Sequence, residues 1–315
     1  MAVFIKMYNF PERWHLNIKN IKDLSKRLGF SVEYLKKFEV DILNHYILTK
    51  ILQNGKPRDL CIPSKPLKRI QQIILKEILN FDFPKYVQGG VRERSIIKNA
   101  LIHRQKKWVA TLDISKFFPS VHYSRIRTIF SDLGCSEAIS KTLTHFVTYP
   151  YELPQGVPTS PVIANLVLYN LDCRIFTLCK IKKLNYSRYF DDITISGNRR
   201  LDSVCEKIIK TISKKEGFKI KLEKFIITSN SKFQVVTGFI VNGRNLEVSE
   251  EFLHKLENYI NELKNGKMSE SPLYEIFDKV NGMIAFLKSV QPKKAKFLSK
   301  AFEKIDWGRY GFDNN

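Results

Sequence analysis

Two adjacent carboxylates, Asp191 and Asp192, lie between two stretches of alternating apolar and polar residues, 184–188 and 193–196. Alternation interrupted by an acidic pair is typical of a β-hairpin with the carboxylates at its tip. Because neighbouring like charges repel each other, such a pair in an apolar hairpin indicates a bound cation. An isolated Asp-Asp pair is more often a solvated turn, so the interpretation needs support from other segments.

A third carboxylate, Asp113, ends the apolar run 108–112, which predicts a strand. Taken alone, Asp113 is as well explained by a cap at the strand end. Three carboxylates at the ends of neighbouring strands could hold two Mg²⁺ ions about 3.5–4 Å apart, as phosphoryl transfer between nucleotides requires.

A loop rich in proline and glycine, residues 153–161 (LPQGVPTSP), lies between the two carboxylate-bearing segments. Ser160 and Pro161 then open an apolar run to Leu171 that predicts a helix. An ordinary Pro/Gly turn would not explain the position of this loop between the carboxylates.

These segments together resemble the palm motifs of reverse transcriptases: LDISKFFPS with Asp113, LPQGVPTSP followed by Asn165, and YFDD at 189–192. The resemblance covers Lys50 to Asn245. It includes two fingers motifs, at 57–71 and 89–100, and the segment after the YxDD hairpin, at 216–224.

The resemblance implies an α+β fold, a right-hand polymerase with fingers, an antiparallel palm sheet that carries the catalytic carboxylates, and a helical thumb. The expected division is an N-terminal helical region over 1–50, fingers over 51–105, palm with part of the fingers over 106–245, and thumb over 246–315. A chain of 315 residues with 43% apolar content is long enough for such a body.

Catalytic roles follow from the resemblance. Two Mg²⁺ ions would be bound by Asp113 and Asp191, with Asp192 as a weaker or outer ligand and the Ile114 carbonyl completing one site. Lys224 would protonate the leaving pyrophosphate, although most lysines are simply solvated.

Substrate contacts follow in the same way. Arg58 would grip the triphosphate of a dNTP, and Gln155 and Gly156 would line its pocket. Phe118 would exclude a 2′-hydroxyl, although a core aromatic beside Phe117 is as good an explanation by spacing. Tyr189 and Phe190 would contact the primer end.

Two further motifs resemble the markers of bacterial retron reverse transcriptases. Residues 99–103 fit the pattern NAxxH and residues 236–238 fit VTG. The resemblance implies a cognate structured noncoding RNA, a branched RNA–DNA product primed from a guanosine 2′-hydroxyl, and anti-phage defence with a separate effector protein. Phe190 departs from the small residue usual at its position, which affects primer geometry or fidelity. The motif residues expected to contact RNA are Asn99, His103, Val236, Thr237 and Gly238.

The charge of the chain also indicates a nucleic-acid partner. Lys and Arg number 53 against 31 Asp and Glu, which leaves a net charge of +22. Such a field favours a polyanion, although any single basic run can be a solvated face and a low-GC genome raises the lysine count. We expect Lys293, Lys294 and Lys296, on a predicted exposed helix, to contact RNA or duplex phosphates.

No run of eighteen apolar residues and no signal-peptide pattern occur, so a cytoplasmic protein without a membrane partner is expected. The five cysteines lack CxxC spacing and are expected to be buried, reduced thiols.

Two alternatives stay open. One is another bacterial reverse transcriptase, of the group II intron or diversity-generating type; the Ser160-Pro161 ending disfavours the latter, and the short chain disfavours the former. The other is a non-catalytic regulator, because residues 24–38 mimic a helix-turn-helix. The apolar spacing over 21–35 favours helices that pack on the fingers.

Overall fold

The computed structural model describes residues 8–53, 56–266 and 273–307. Its helices are α1 (Ile21–Leu28), α2 (Val32–Val40), α3 (Lys65–Glu77), α4 (Ile96–Ile102), α5 (Phe117–Ser120), α6 (Tyr123–Asp132), α7 (Glu137–Val147), α8 (Ser160–Val167), α9 (Tyr169–Ile181), α10 (Asp202–Lys215), α11 (Glu250–Lys264), α12 (Leu273–Lys288) and α13 (Pro292–Glu303). Its strands are β1 (Tyr46–Gln53), β2 (Lys56–Pro63), β3 (Trp108–Asp113), β4 (Asn185–Tyr189), β5 (Asp192–Gly197), β6 (Ile226–Ser229), β7 (Val235–Val236), β8 (Phe239–Ile240) and β9 (Glu247–Val248).

The N-terminal helices α1 and α2 are part of the main core. Side chains of Asn20 and Ser31 cap their first turns, and Gly29 between them adopts φ +69°, a conformation that glycine tolerates. Leu24, Leu28 and Leu35 are buried against α3 and α7. This packing supports the fingers interpretation over a DNA-reading helix-turn-helix.

A four-stranded antiparallel sheet in the order β4-β5-β3-β6 lies at the centre of the molecule. Strand β3 was predicted from its apolar run, and β4 and β5 from their alternating pattern. The outer strand β6 was not predicted, because its four residues are too few for a clear alternation.

Helices pack behind this sheet. These helices include α6 and α10, and the apolar run after Ser160 forms α8 and α9, which meet at 54°. No single helix within the described ranges is long and apolar enough to cross a membrane; α8 and α9 meet that criterion only as a bent pair.

A second apolar cluster joins the small antiparallel sheet β7-β8-β9 to the three C-terminal helices. Phe239 of β8 stacks on Phe286 of α12 with ring centroids 4.7 Å apart. The N-cap predicted at Ser249 is present, since its side chain accepts from the Phe252 N–H. The mixed helical and antiparallel-sheet content confirms the predicted α+β class.

The cysteines are free thiols, but only part of the prediction holds. Cys135, Cys179 and Cys205 are buried, whereas Cys61 and Cys173 are half-buried. The expectation of uniform burial is therefore wrong for two of them, which lie on elements packed at the edge of the core.

Candidate active site

The acidic pair lies at the tip of the β4–β5 hairpin, as predicted. Tyr189 pairs with Asp192, and the turn between them consists of Phe190 and Asp191. Phe190 adopts φ +55°, which is strained for a residue with a bulky side chain. A Cβ on Gly89 would lie 2.5 Å from the Phe190 nitrogen, so only glycine allows this segment to pack directly against the turn.

Strand register brings the third carboxylate to the same place. Asp113 pairs with Asp192, and the Ile114 N–H donates to the Asp191 carbonyl at 3.2 Å. On the other side of this strand, the Lys221 N–H donates to the Asp113 carbonyl at 2.9 Å, so Ile114 directs its own N–H and C=O toward the hairpin. The carbonyl of Ile114 therefore lies on the side of its strand that faces the hairpin turn.

The electrostatics of this end of the sheet are unfavourable for negative charge. Burial raises the pKa of Asp191, and the charge of Asp113 raises it further. Burial and the charges of Asp191 and Asp113 raise the pKa of Asp192 to about 6. Neighbouring carboxylates with raised pKa values are typical of a functional site that binds a positively charged group.

Two lysines supply part of that charge. The ammonium groups of Lys221 and Lys224 both contact the buried Asp113 carboxylate, Lys224 at 2.7 Å. This hydrogen bond raises the pKa of Lys224. Lys221 was not predicted; its spacing of three residues from Lys224 across a single helical turn was the available signal.

The oxygen donors of this site fit a divalent ion, provided that Lys221 and Lys224 release the Asp113 carboxylate. Carboxylate and carbonyl oxygens are the ligands that hard cations prefer. As the side chains stand, however, no three acidic, His or Cys residues in the described ranges are grouped closely enough to hold a metal ion. Asp113 becomes free to coordinate when Lys221 and Lys224 move away from it, and the Lys224 side chain is half exposed.

Two of the predicted nucleotide-binding segments are described in the structure, at Phe118 and at the 153–161 loop. Phe117 is buried, whereas Phe118 is half-buried with its ring centroid 6.5 Å from that of Phe190. The Gln155 carbonyl accepts from the Cys61 N–H at 2.8 Å, which fixes the 153–161 loop to β2. Gly156 adopts φ +96°, and a Cβ there would lie 3.0 Å from the Cys61 carbonyl oxygen.

Arg58 and Tyr189 were also predicted to contact the substrates. Arg58 pairs with Ile51 in the β1–β2 hairpin, but its side chain lies outside the described part of the structure. Tyr189 is half-buried and packs edge-on against Phe190 at 5.0 Å.

A buried ion pair that the sequence did not reveal lies behind the hairpin. The Arg188 guanidinium donates to both carboxylate oxygens of Asp172, at 2.8 and 2.6 Å, and both side chains are fully buried. Arg188 also donates to the Phe190 carbonyl at 2.8 Å. Opposite charges inside two apolar segments were the only sequence signal for this pair.

The side chains of the two marker motifs have their partners within the protein. Asn99, His103 and Val236 are buried, and the hydroxyl of the half-buried Thr237 donates to the Ile96 carbonyl. RNA contact by these four residues stays a prediction, which their side-chain hydrogen bonds do not support. Gly238 is exposed, as are Lys293, Lys294 and Lys296 on α13.

Residues 48–302 match the family model described as reverse transcriptase (RNA-dependent DNA polymerase). The chain belongs to the reverse transcriptase family and is an RNA-directed DNA polymerase, of a family that uses divalent metal ions.

Its relatives include enzymes of bacterial retrons. It is 29% identical over 299 residues to the retron Ec86 reverse transcriptase of Escherichia coli, which covers 93% of this chain and 91% of the relative. The retron Ec73 enzyme of E. coli is 30% identical over 276 residues, 81% of this chain and 86% of the relative. The retron Se72 enzyme of Salmonella heidelberg is 35% identical over 200 residues, 62% of this chain and 53% of the relative. These similarities support the retron type that the marker motifs had predicted.

Proposed function

We propose that this polymerase copies part of a structured noncoding RNA into single-stranded DNA, starting from a 2′-hydroxyl of that RNA. The strand register supports the proposed catalysis, because it places Asp113 opposite Asp192, with Asp191 in the adjacent turn. The marker motifs and the retron relatives support the priming mode.

We assign Mg²⁺ as the divalent ion and two ions as the number. Asp113 and Asp191 would hold them, with Asp192 as an outer ligand and the Ile114 carbonyl as a further donor. When bound, the ions activate the primer hydroxyl and neutralise the charge of the triphosphate and the departing pyrophosphate.

The chain's own side chains orient the substrates in this proposal. Lys224 leaves Asp113 and becomes a proton donor for the pyrophosphate. Phe118 packs beneath the incoming sugar, where its ring excludes a 2′-hydroxyl. Arg58, Gln155 and Gly156 hold the dNTP, and Tyr189 and Phe190 support the primer end.

The same proposal covers the partners. Lys293, Lys294, Lys296 and Gly238 contact the noncoding RNA or its RNA–DNA product, and a separate effector protein acts with the complex in anti-phage defence. We keep the division that the sequence predicts, with an N-terminal region, fingers, palm and thumb, as part of the proposal. Because dNTPs and the RNA are cytoplasmic, we place the enzyme in the cytoplasm.

Nucleic acid that copurifies with the protein tests the retron proposal. Sequencing should reveal one RNA species joined to DNA through a branch at a guanosine. The Asp191→Asn variant, the matched control, should retain the RNA without DNA. Linear DNA copies, or a mixture of unrelated RNAs, would favour another bacterial reverse transcriptase.

A further inference from the structure

The two marker motifs meet inside the protein, where their polar side chains form one hydrogen-bond chain. His103 contacts Ser196 of β5 through Nδ1 at 2.8 Å and Ser187 of β4 through Nε2 at 2.7 Å. Both serines belong to the catalytic hairpin and are buried. One imidazole therefore joins the two strands that carry the acidic turn.

The directions of these hydrogen bonds are fixed by the donors available. Ser187 uses its only proton to donate to Asn99 Oδ1 at 2.6 Å, so it accepts from His103 Nε2–H. Nδ1 is then unprotonated and accepts from the Ser196 hydroxyl. Burial lowers the pKa of His103 to about 3, which keeps the ring in this neutral form.

The chain continues to the C-terminal part of the molecule. Asn99 Nδ2 lies 3.5 Å from the Thr237 hydroxyl, which donates to the Ile96 carbonyl at 2.9 Å. Thr237 belongs to the turn between β7 and β8, and β8 packs on the thumb helix α12. Helix α4 thus contacts the β7–β8 turn through Ile96 and Asn99 and the catalytic hairpin through Asn99 and His103.

The backbone at Thr237 is strained. Thr237 and Gly238 adopt φ +46° and +87°, as expected for a two-residue hairpin turn of the I′ type. That turn favours Asn or Gly at its first position, and a β-branched residue there is an outlier. The Thr237 hydroxyl is the group that contacts α4, and strain of this kind is typical of a functional constraint.

We propose that Thr237, Asn99 and His103 are positioning residues that hold the thumb in a fixed relation to the catalytic hairpin. This inference rests on the proposed polymerase function. The hairpin supports the primer end, and the thumb holds the same duplex at a distance from that end. The distance between hairpin and thumb must therefore stay constant during DNA synthesis. Other contacts connect the same regions, such as the hydrogen bond from the Gln105 N–H to the Val241 carbonyl at 2.8 Å. These contacts should keep the thumb folded when the side-chain hydrogen bonds are removed.

Thr237→Gly tests the proposal, because it removes the hydroxyl and also relieves the positive φ. Lys183→Gly is the matched control: Lys183 is an exposed residue at φ +54° in the turn before β4. Thr237→Ser keeps the hydroxyl and should rescue the defect.

Two activity readouts separate positioning from general damage. On a primed RNA template with a trap for dissociated enzyme, Thr237→Gly should shorten the median DNA product about fivefold, the effect of losing one buried hydrogen bond. Addition of a single dNTP should stay within about twofold of the parent. Unchanged product length, an equal loss in both assays, or failure of Thr237→Ser to rescue would overturn the proposal.

A third readout does not need activity. By hydrogen exchange, Thr237→Gly should increase amide exchange in β4 and β5 as well as in its own turn, because coupling between the two sites is reciprocal. Faster exchange confined to the β7–β8 turn would contradict the proposal. A parent enzyme without polymerase activity would speak against the proposed function, whereas this measurement would still decide the coupling.

Discussion

The charged side chains on the two sides of the catalytic hairpin have opposite electrostatic environments. On the outer side, Asp191 and Asp192 have raised pKa values and lie close to the negative charge of Asp113. On the inner side, Arg188 and Asp172 are fully buried, yet each charged group is paired. The inner charges stabilise the hairpin, whereas the outer carboxylates fit the divalent ions of the proposed function.

The largest expected effect is on the outer side. Asp191→Asn should abolish DNA synthesis while RNA binding stays nearly unchanged, because one carboxylate is a large part of a metal site but a small part of a +22 field. Primer extension and a filter-binding assay measure the two properties. Asp202→Asn, at an exposed helix start, is the matched control. Synthesis by Asp191→Asn within about tenfold of the parent, a barrier change of about 1.4 kcal/mol, would refute the metal assignment.

On the inner side, a change should act on stability first. Arg188→Met leaves Asp172 buried without its charged partner and should lower the free energy of unfolding by about 3–5 kcal/mol. Denaturant unfolding measures this loss. The control Arg92→Met removes an exposed arginine paired with Glu93 and should cost less than about 1 kcal/mol. Equal effects of the two variants would mean that the buried pair does not hold the hairpin.

The outer and inner sides of the hairpin also differ in how well the sequence predicts them. The outer site could be predicted because Asp113 ends an apolar run, and Asp191 and Asp192 lie between two alternating segments. The inner pair could not, because Asp172 and Arg188 lie on a helix and a strand that become neighbours only when the core forms. Lys221 was missed because its spacing of three residues from Lys224 does not by itself distinguish it from a solvated lysine.

The marker motifs illustrate a further limit. Their residue types identified the retron relatives, but a motif does not state where its side chains point. Asn99 and His103 look like surface polar residues in the sequence, and the fold buries both. Only the tertiary contact with Ser187 and Ser196 explains why polar groups are needed there.

An effect of intermediate size is expected for His103, which lies behind the hairpin. Its folded pKa of about 3 lies below the ordinary value of 6.5, so the unfolded chain binds a proton first on acidification. Stability should therefore fall as the pH decreases from 6.5 toward 3, by up to about 1.4 kcal/mol per pH unit. In His103→Gln this part of the slope should be absent, whereas His254→Gln, at an exposed histidine, should retain it. Parallel curves of unfolding free energy for the parent and His103→Gln would contradict the buried neutral ring.

The smallest effect is expected far from both sides of the hairpin, on the thumb surface. The triple change of Lys293, Lys294 and Lys296 to Ala should weaken RNA binding and reduce the salt slope of log K by about 0.9 or less for each lost phosphate contact. Short primer extension at saturating template should survive. The control triple, Lys207, Lys214 and Lys215 to Ala on α10, is equally exposed and should leave the slope unchanged. Equal slopes for both triples would show that the thumb lysines are only solvated.

The most direct test of the central claim is incorporation of labelled dNTPs by the purified protein on a primed RNA template. The outer carboxylates predict DNA synthesis that requires Mg²⁺ and stops when the ion is chelated. Synthesis of full-length DNA with Mg²⁺, and none with EDTA, is the expected result. Binding of the RNA without incorporation at any Mg²⁺ concentration would contradict the account and favour a nucleic-acid-binding regulator.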